Sequence, residues 1–437
     1  MEKALVLIVF VSFYIALFSP ALFSLSILAL LLFLLFSVVV FKFIRFDTLL
    51  FVVLILYLLF CKGYSKRNID IPIDRKDVEG IYCKVLSEPS AREKRKKGYS
   101  LMLLAIRDSK GSVFNANGIL YAITEDSDVH TFDELYLSGQ FTDYGFFANS
   151  TQVVSPCISS RLRNKIFSYI RRKSGTDDVA QLMQMMLLGS GEFAENRILS
   201  LSSQSGLRHV IALSGMHLYV ISFIFKPFLL LKRKGMVLIS LFLFAFTWLS
   251  GWRPSLFRAF IFSLIMRLGK DSDIAFVLSA IVLLSIFPYY GFELASIYSF
   301  TALAGIFLLS KEIGKCFSYI LGANKLSDGI SLSVAAQLFT IPISYCVFGE
   351  YQMSSILSSY PAGALISMFM AFSILYIPFP FIRPILNCIY FLVMKLFELS
   401  SRFEPSKDLL LYSTMVAIVF FVLGLKFLIK SKQKRRL

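Results

Sequence analysis

The stretch GLRHVIALSGMHLYVI, residues 206–221, sets two of the chain's three histidines and a Ser-Gly pair inside an otherwise lipid-grade apolar run. Titratable groups are costly in hydrocarbon, about 2.5–3.5 kcal/mol for a full charge on insertion scales. The surrounding sequence nevertheless demands a membrane. The 437 residues are 57% hydrophobic with mean hydropathy +0.70. Apolar runs of about 20 residues, the length that about 30 Å of hydrocarbon requires, recur from end to end. The fold class is a polytopic α-helical membrane protein. Spans are expected at 4–18, 21–41, 48–61, 207–231, 236–250, 255–268, 274–289, 292–310, 330–348, 356–377, 381–397 and 409–429, about twelve transmembrane helices. No small-x-small cleavage site separates the first two runs, so both read as retained helices rather than a leader.

The formal net charge of +17 has two readings. Lys and Arg accumulate in cytoplasmic loops by the positive-inside rule, and the clusters KRK (232–234) and KSKQKRR (430–436) fall where that rule puts them. The rest of the excess suits a polyanion. An inside N-terminus places both termini in the cytoplasm and residues 62–205 outside.

Between 75 and 155 the pattern changes to short alternating segments, at 80–86, 99–106, 118–124, 135–141 and 151–154, punctuated by SEPS, DSKGS and NANG. Five short strands at this spacing predict a small OB-like β-barrel, an architecture that binds single-stranded nucleic acid. Its loop AREKRKKGY (91–99) is the densest charge run in the chain and reads as a solvated hairpin tip or a phosphate contact; the acidic TEDSD (124–128) weakens the second. Two amphipathic helices follow, at 160–173 and 176–189, and both are expected to lie against the membrane face. The expected organisation is therefore N-terminal transmembrane helices (1–62), an OB-like extracytoplasmic domain (63–158), interfacial helices (159–205), a transmembrane channel domain (206–430) and a basic cytoplasmic tail (431–437).

His209 and His217 are eight apart, about 12 Å along a helix axis and too far to share one metal ion. The six cysteines lack CxxC spacing, so no metal site is expected; Cys83 and Cys157 flank the polar segment, and a disulfide is open to them if it lies outside. Ser214 and His217 could form a hydrolytic couple, but no Asp or Glu lies between Glu195 and Asp271 to orient it. The remaining readings of His209, Ser214, Gly215 and His217 are glue between helices and the wall of a wet path with loosened backbone. In GWRPSLFRAF (251–260), Pro254 suits a first helical position, and Arg253 and Arg258 suit either headgroups or phosphate. Gln337 and Pro342 mark a kinked helix that lines a cavity or simply packs.

These motifs together resemble the ComEC-type competence proteins, the inner-membrane channels for transforming DNA. Gly206, Leu207, His209, Ser214, Gly215 and His217 fill every fixed position of that family's signature. LLG at 187–189 precedes it, and Gly251, Pro254, Ser255, Arg258 and Ala259 match a second motif. AAQLFTIPIS (335–344), followed by FGEY, is similar to a third. With three histidines in all, the chain is expected to be a form without the family's C-terminal metallo-β-lactamase-like domain.

The resemblance implies a channel for single-stranded DNA in the bacterial cytoplasmic membrane during natural transformation. His209, Ser214, Gly215 and His217 would form its constriction. Arg253, Ser255 and Arg258 would guide phosphate, and Gly251, Pro254, Gln337 and Pro342 would shape the cavity. No Walker-type loop is present, so a cytoplasmic helicase-like ATPase is the implied motor; an extracytoplasmic DNA receptor, a separate nuclease chain and a second copy of the chain are further expected partners. No cofactor and no enzymatic activity are expected. The alternatives are a transporter of another anionic polymer or lipid on the same fold, and a membrane enzyme using Ser214 and His217.

Overall fold

A computed structural model describes residues 69–86, 90–91, 97–124, 129–142, 145–189, 197–227, 233–269, 271–321, 325–352, 354–403 and 405. The spans expected at 4–18, 21–41, 48–61 and 409–429, the basic tail and the tip of the 91–99 loop lie outside the described residues.

The alternating segments form strands β1 (Val78–Val85), β2 (Ser90–Ala91), β3 (Lys97–Asp108), β4 (Val113–Thr124), β5 (Glu134–Thr142) and β6 (Gly145–Ser155). They pair in the order β1-β5-β6-β4-β3-β2, and β1 also pairs with β3, which closes five strands into a barrel with β2 appended. Every pairing is antiparallel except β4 with β6. This is the expected OB-like barrel. Period-two alternation turns Ile81, Cys83, Val85, Leu101, Leu103, Leu120, Leu135, Leu137 and Phe146 inward, all buried. Each such large side chain contributes about 1.5–3 kcal/mol by leaving water. Closure needs sharp bends. At Gly139, beside a register shift between β5 and β6, a Cβ would lie 2.0 Å from the Phe147 carbonyl oxygen.

Cys83 and Cys157 are not joined by the disulfide that the sequence left open. Cys83 faces the barrel interior, where burial pushes its thiol up to about 12. Cys157 instead precedes the helix that leaves the barrel.

That helix is α1 (Ile158–Ser174), followed by α2 (Asp178–Leu188), α3 (Arg197–Gln204), α4 (Arg208–Ile211), α5 (Gly215–Ile224), α6 (Arg233–Leu249), α7 (Pro254–Arg267), α8 (Ser272–Ile286), α9 (Leu294–Leu321), α10 (Lys325–Phe348), α11 (Ser354–Tyr376) and α12 (Arg383–Ser401). Among the described residues, three segments are long and apolar enough to cross a membrane: Leu294–Lys311, Ser354–Tyr376 and Pro380–Ser401. The chain is thus a helical membrane protein carrying a small barrel. In helix α1, Ile158, Leu162 and Tyr169 are exposed among basic residues, while Ile170 is buried in the core of the bundle. Helix α2, expected against the membrane face, lies deeper. Apart from Asp178 and Gln181 it is buried in the core of the bundle, Gln184 included at 1% exposure, and its N-cap Asp177 pairs with Arg383 at the start of α12 (2.5 Å).

A polar joint ties barrel to bundle. Asp133, fully buried, accepts from the backbone N–H of His130 (2.9 Å) and of Cys157 (2.7 Å) and from the Ser160 hydroxyl (3.0 Å). Burial pushes its carboxyl above the usual range despite these donors. Beside it, Arg163 Nη1 donates to His130 Nδ1 (3.3 Å), so the ring's Nε2–H is left to donate to Asn164 Oδ1 (2.7 Å).

Candidate functional site

The apolar run 207–231 does not form one continuous helix. It breaks after α4, and the break is written in the residues. Ser214 is extended (φ −138°, ψ −179°) and acts as N-cap of α5; its backbone N–H donates to Nδ1 of His217 (3.1 Å), three positions on. This is a capping box in which an imidazole replaces the usual Glu or Gln. Because Nδ1 accepts, the proton of the neutral ring sits on Nε2, 3.4 Å from Met186 Sδ on α2. His217 is 0% exposed. It is a structural histidine.

The other motifs hold this break in place. Gly189 ends α2 in the left-handed region (φ +68°), where a Cβ would meet Leu213 Cδ1 at 2.6 Å. The Gly189 carbonyl accepts from Arg253, and the Leu188 carbonyl accepts from Arg163 (2.7 Å), so two guanidiniums answer the negative end of α2. Ser255 donates to the Leu213 carbonyl (2.7 Å). Gly215 lets α7 approach; a Cβ there would lie 3.2 Å from that of Ala259 and 3.9 Å from Arg258 Nη2. Pro254 starts α7 after two left-handed residues, Gly251 (φ +80°) and Trp252 (φ +55°). The latter is costly for a bulky side chain and is over-determined by Tyr290, whose hydroxyl donates to the Trp252 carbonyl (2.7 Å).

The two arginines are engaged by the protein itself, where the sequence suited them to headgroups or phosphate. Arg258 is 7% exposed, donates from Nε to Ser299 Oγ (2.9 Å) and lies over the Phe300 ring (5.4 Å). Arg253 is half-buried against Gly189.

His209 behaves differently. Its Nδ1–H donates to the Gly206 carbonyl (3.0 Å), while the ring is exposed and Nε2 lies 3.3 Å from Ser359 Oγ on α11. Ser359 Oγ in turn accepts from Gln337 Nε2 on α10 (3.1 Å). The first and third motifs thus meet through a serine that no motif contains. Gly206 (φ +70°) permits the turn, since a Cβ would strike Gln352 at 2.6 Å. Helix α10 continues through Pro342. Among the described residues no group of three or more His, Cys, Asp or Glu is placed to hold a metal ion.

With this geometry in hand, the chain can be set beside known proteins. The family model described as Competence protein matches residues 186–435, more than half of the chain, and the chain belongs to that family. The match begins at the end of α2 and contains every residue of the site except Arg163. ComE operon protein 3 of Bacillus subtilis (strain 168) is 28% identical over 224 residues, which cover 49% of this chain and 27% of that protein. The matched part is thus about a quarter of the relative's length. No solved structure matches. The chain is a competence protein of the ComEC type.

Proposed function

We propose that the chain takes part in DNA uptake for natural transformation and forms a passage by which single-stranded DNA crosses the bacterial cytoplasmic membrane. The observation that carries this reading is the contrast between its histidines. One motif residue, His217, is sealed to hold a helix break, and the break leaves His209 exposed and linked through Ser359 to Gln337 within a membrane bundle. A polyanion leaving water needs wall groups that replace hydration yet release it. Neutral imidazole, hydroxyl and amide meet that need better than guanidiniums do. Arg253 and Arg258 are then positioning residues, and Ser255 shares that role.

A passage is favoured over a hydrolase because His217 Nε2 faces a thioether where a triad would place an orienting carboxylate. In this reading the barrel presents the strand outside, both termini are cytoplasmic, and the driving force comes from a helicase-like ATPase. A DNA receptor, a separate nuclease and a second copy complete the proposed partners. Transport of another anionic polymer on the same frame is the second reading, favoured only if DNA is not the cargo.

The test uses the host strain with the gene deleted and then restored as wild type or His209→Ala. Labelled DNA reaching the cytoplasm is expected to fall at least tenfold in the deletion and in His209→Ala, with surface-bound DNA unchanged. Wild-type import in the deletion strain would overturn the proposal.

A further inference from the structure

Resting on the passage reading, we infer that one face of α10 is the track along which the sugar-phosphate strand passes the membrane bundle. Ser333, Gln337, Thr340 and Ser344 recur at spacings of four, three and four, which puts them on one side of a helix. They span about 16 Å at 1.5 Å per residue, about half the hydrocarbon thickness. All four are partly exposed. The opposite face, with Ser331, Ala335 and Leu338, is buried, and Ala335 and Leu338 pack with Leu309 of α9. Polar groups are added from three other helices. His209 and Ser359 join at Gln337, and the Tyr298 hydroxyl on α9 lies 2.7 Å from Ser344 Oγ. None of the seven is a carboxylate, so nothing in this group repels phosphate.

The hydrogen bonds explain how such a track would release its cargo. Thr340 Oγ1 donates back to the Ala336 carbonyl (3.2 Å), and Ser344 Oγ to that of Thr340 (3.2 Å). Ser333 donates to the Ile356 carbonyl across to α11 (2.9 Å). Helix carbonyls one turn back already accept from backbone N–H groups, so these bonds are supplementary and weak. A hydroxyl can rotate from its carbonyl to a phosphate oxygen and back, exchanging one hydrogen bond for another. Gln337 offers Ser359 one of its two N–H groups and keeps the second for the strand. Contacts of this kind hold a polyanion without trapping it.

The experiment compares a hydroxyl-free variant (Ser333→Ala, Thr340→Val, Ser344→Ala) with a hydroxyl-keeping one (Ser333→Thr, Thr340→Ser, Ser344→Thr) in the deletion strain. Thr340→Val alone serves if the triple variant fails to accumulate in the membrane. Import of labelled DNA is expected to fall at least tenfold in the hydroxyl-free triple, about threefold in Thr340→Val, and to stay within twofold of wild type in the hydroxyl-keeping triple. Membrane levels and surface-bound DNA should be equal throughout. Wild-type import without the hydroxyls, or an equal loss with them retained, overturns the track while leaving the passage standing. Import that survives deletion of the gene overturns the passage and the track together.

Discussion

At the scale of single residues, the signature's two histidines divide between architecture and exposure. His217 accepts from the Ser214 backbone N–H and is fully buried, so its removal would leave a part-buried donor without this partner. That omission costs about 1–3 kcal/mol. His217→Ala is therefore expected to lower the thermal unfolding midpoint of the purified protein in detergent, whereas His217→Gln, which restores the usual capping-box residue, should recover most of the loss. Equal midpoints for wild type and His217→Ala would remove the capping role. His209→Ala should leave the midpoint close to wild type, since that residue and its bond to the Gly206 carbonyl are exposed. The sequence placed both imidazoles at the site, but it had no means to separate them: the difference depends on Met186 and Ser359, 31 and 150 positions away in the chain.

At the scale of elements, the barrel was legible almost strand by strand because a half-buried strand must alternate. The expected segments 80–86 and 135–141 became β1 and β5 with bounds shifted by at most two residues. The amphipathic signal of α2 misled, and for a physical reason. Its aspartates and glutamines resemble a solvated face, yet they serve a helix sunk in the bundle, with Asp177 capping the start through Ala180 N–H (3.0 Å) and gripping Arg383. A helix moment reports composition around the axis; it cannot tell water from a polar seam of protein. The Asp177–Arg383 link has a pH signature. Partial burial pushes the Asp177 carboxyl up, but Arg383 and the capping N–H outweigh it, and the group rests below its usual value. A depressed carboxylate contributes stability above its unfolded pKa, about 3.9, and loses it as pH falls through the lower folded value. Asp177→Asn keeps a good N-cap and removes the charge. At neutral pH it is expected to lower stability by about 0.5 kcal/mol, small because the Asp177 side chain is more than half exposed. The gap between Asn variant and wild type should close as pH falls from about 5 to about 3. A gap that stays constant across that range would show that charge is not what joins α2 to α12.

For the molecule as a whole, the question is whether barrel and bundle act as one body. The contacts describe a continuous polar route between them. Asp133, in the loop just before β5, fixes the first turn of α1, and His130 in the same loop meets Arg163 of α1. Arg163 then reaches the Leu188 carbonyl, one residue from the carbonyl that Arg253 holds beside the helix break. A strand seated on the barrel would thus be seated on a surface fixed relative to the break, rather than on a tethered module. Asp133 is the point where this coupling is most exposed to test, because three donors depend on one buried carboxylate. Asp133→Ala leaves those donors without their acceptor, and even one such loss costs about 1–3 kcal/mol. Since 1.4 kcal/mol is a tenfold change in an equilibrium, backbone amides in 157–161 should exchange with solvent at least ten times faster in the variant. The interior strands β1, β3 and β5, closed by their own hydrogen bonds, should keep their protection. Import of labelled DNA should fall together with the loosened joint if the barrel works as part of the passage. Faster exchange at 157–161 with undiminished import would mean that the joint stabilises the protein without aiming the strand, and unchanged exchange would mean that Asp133 does not hold the two parts together.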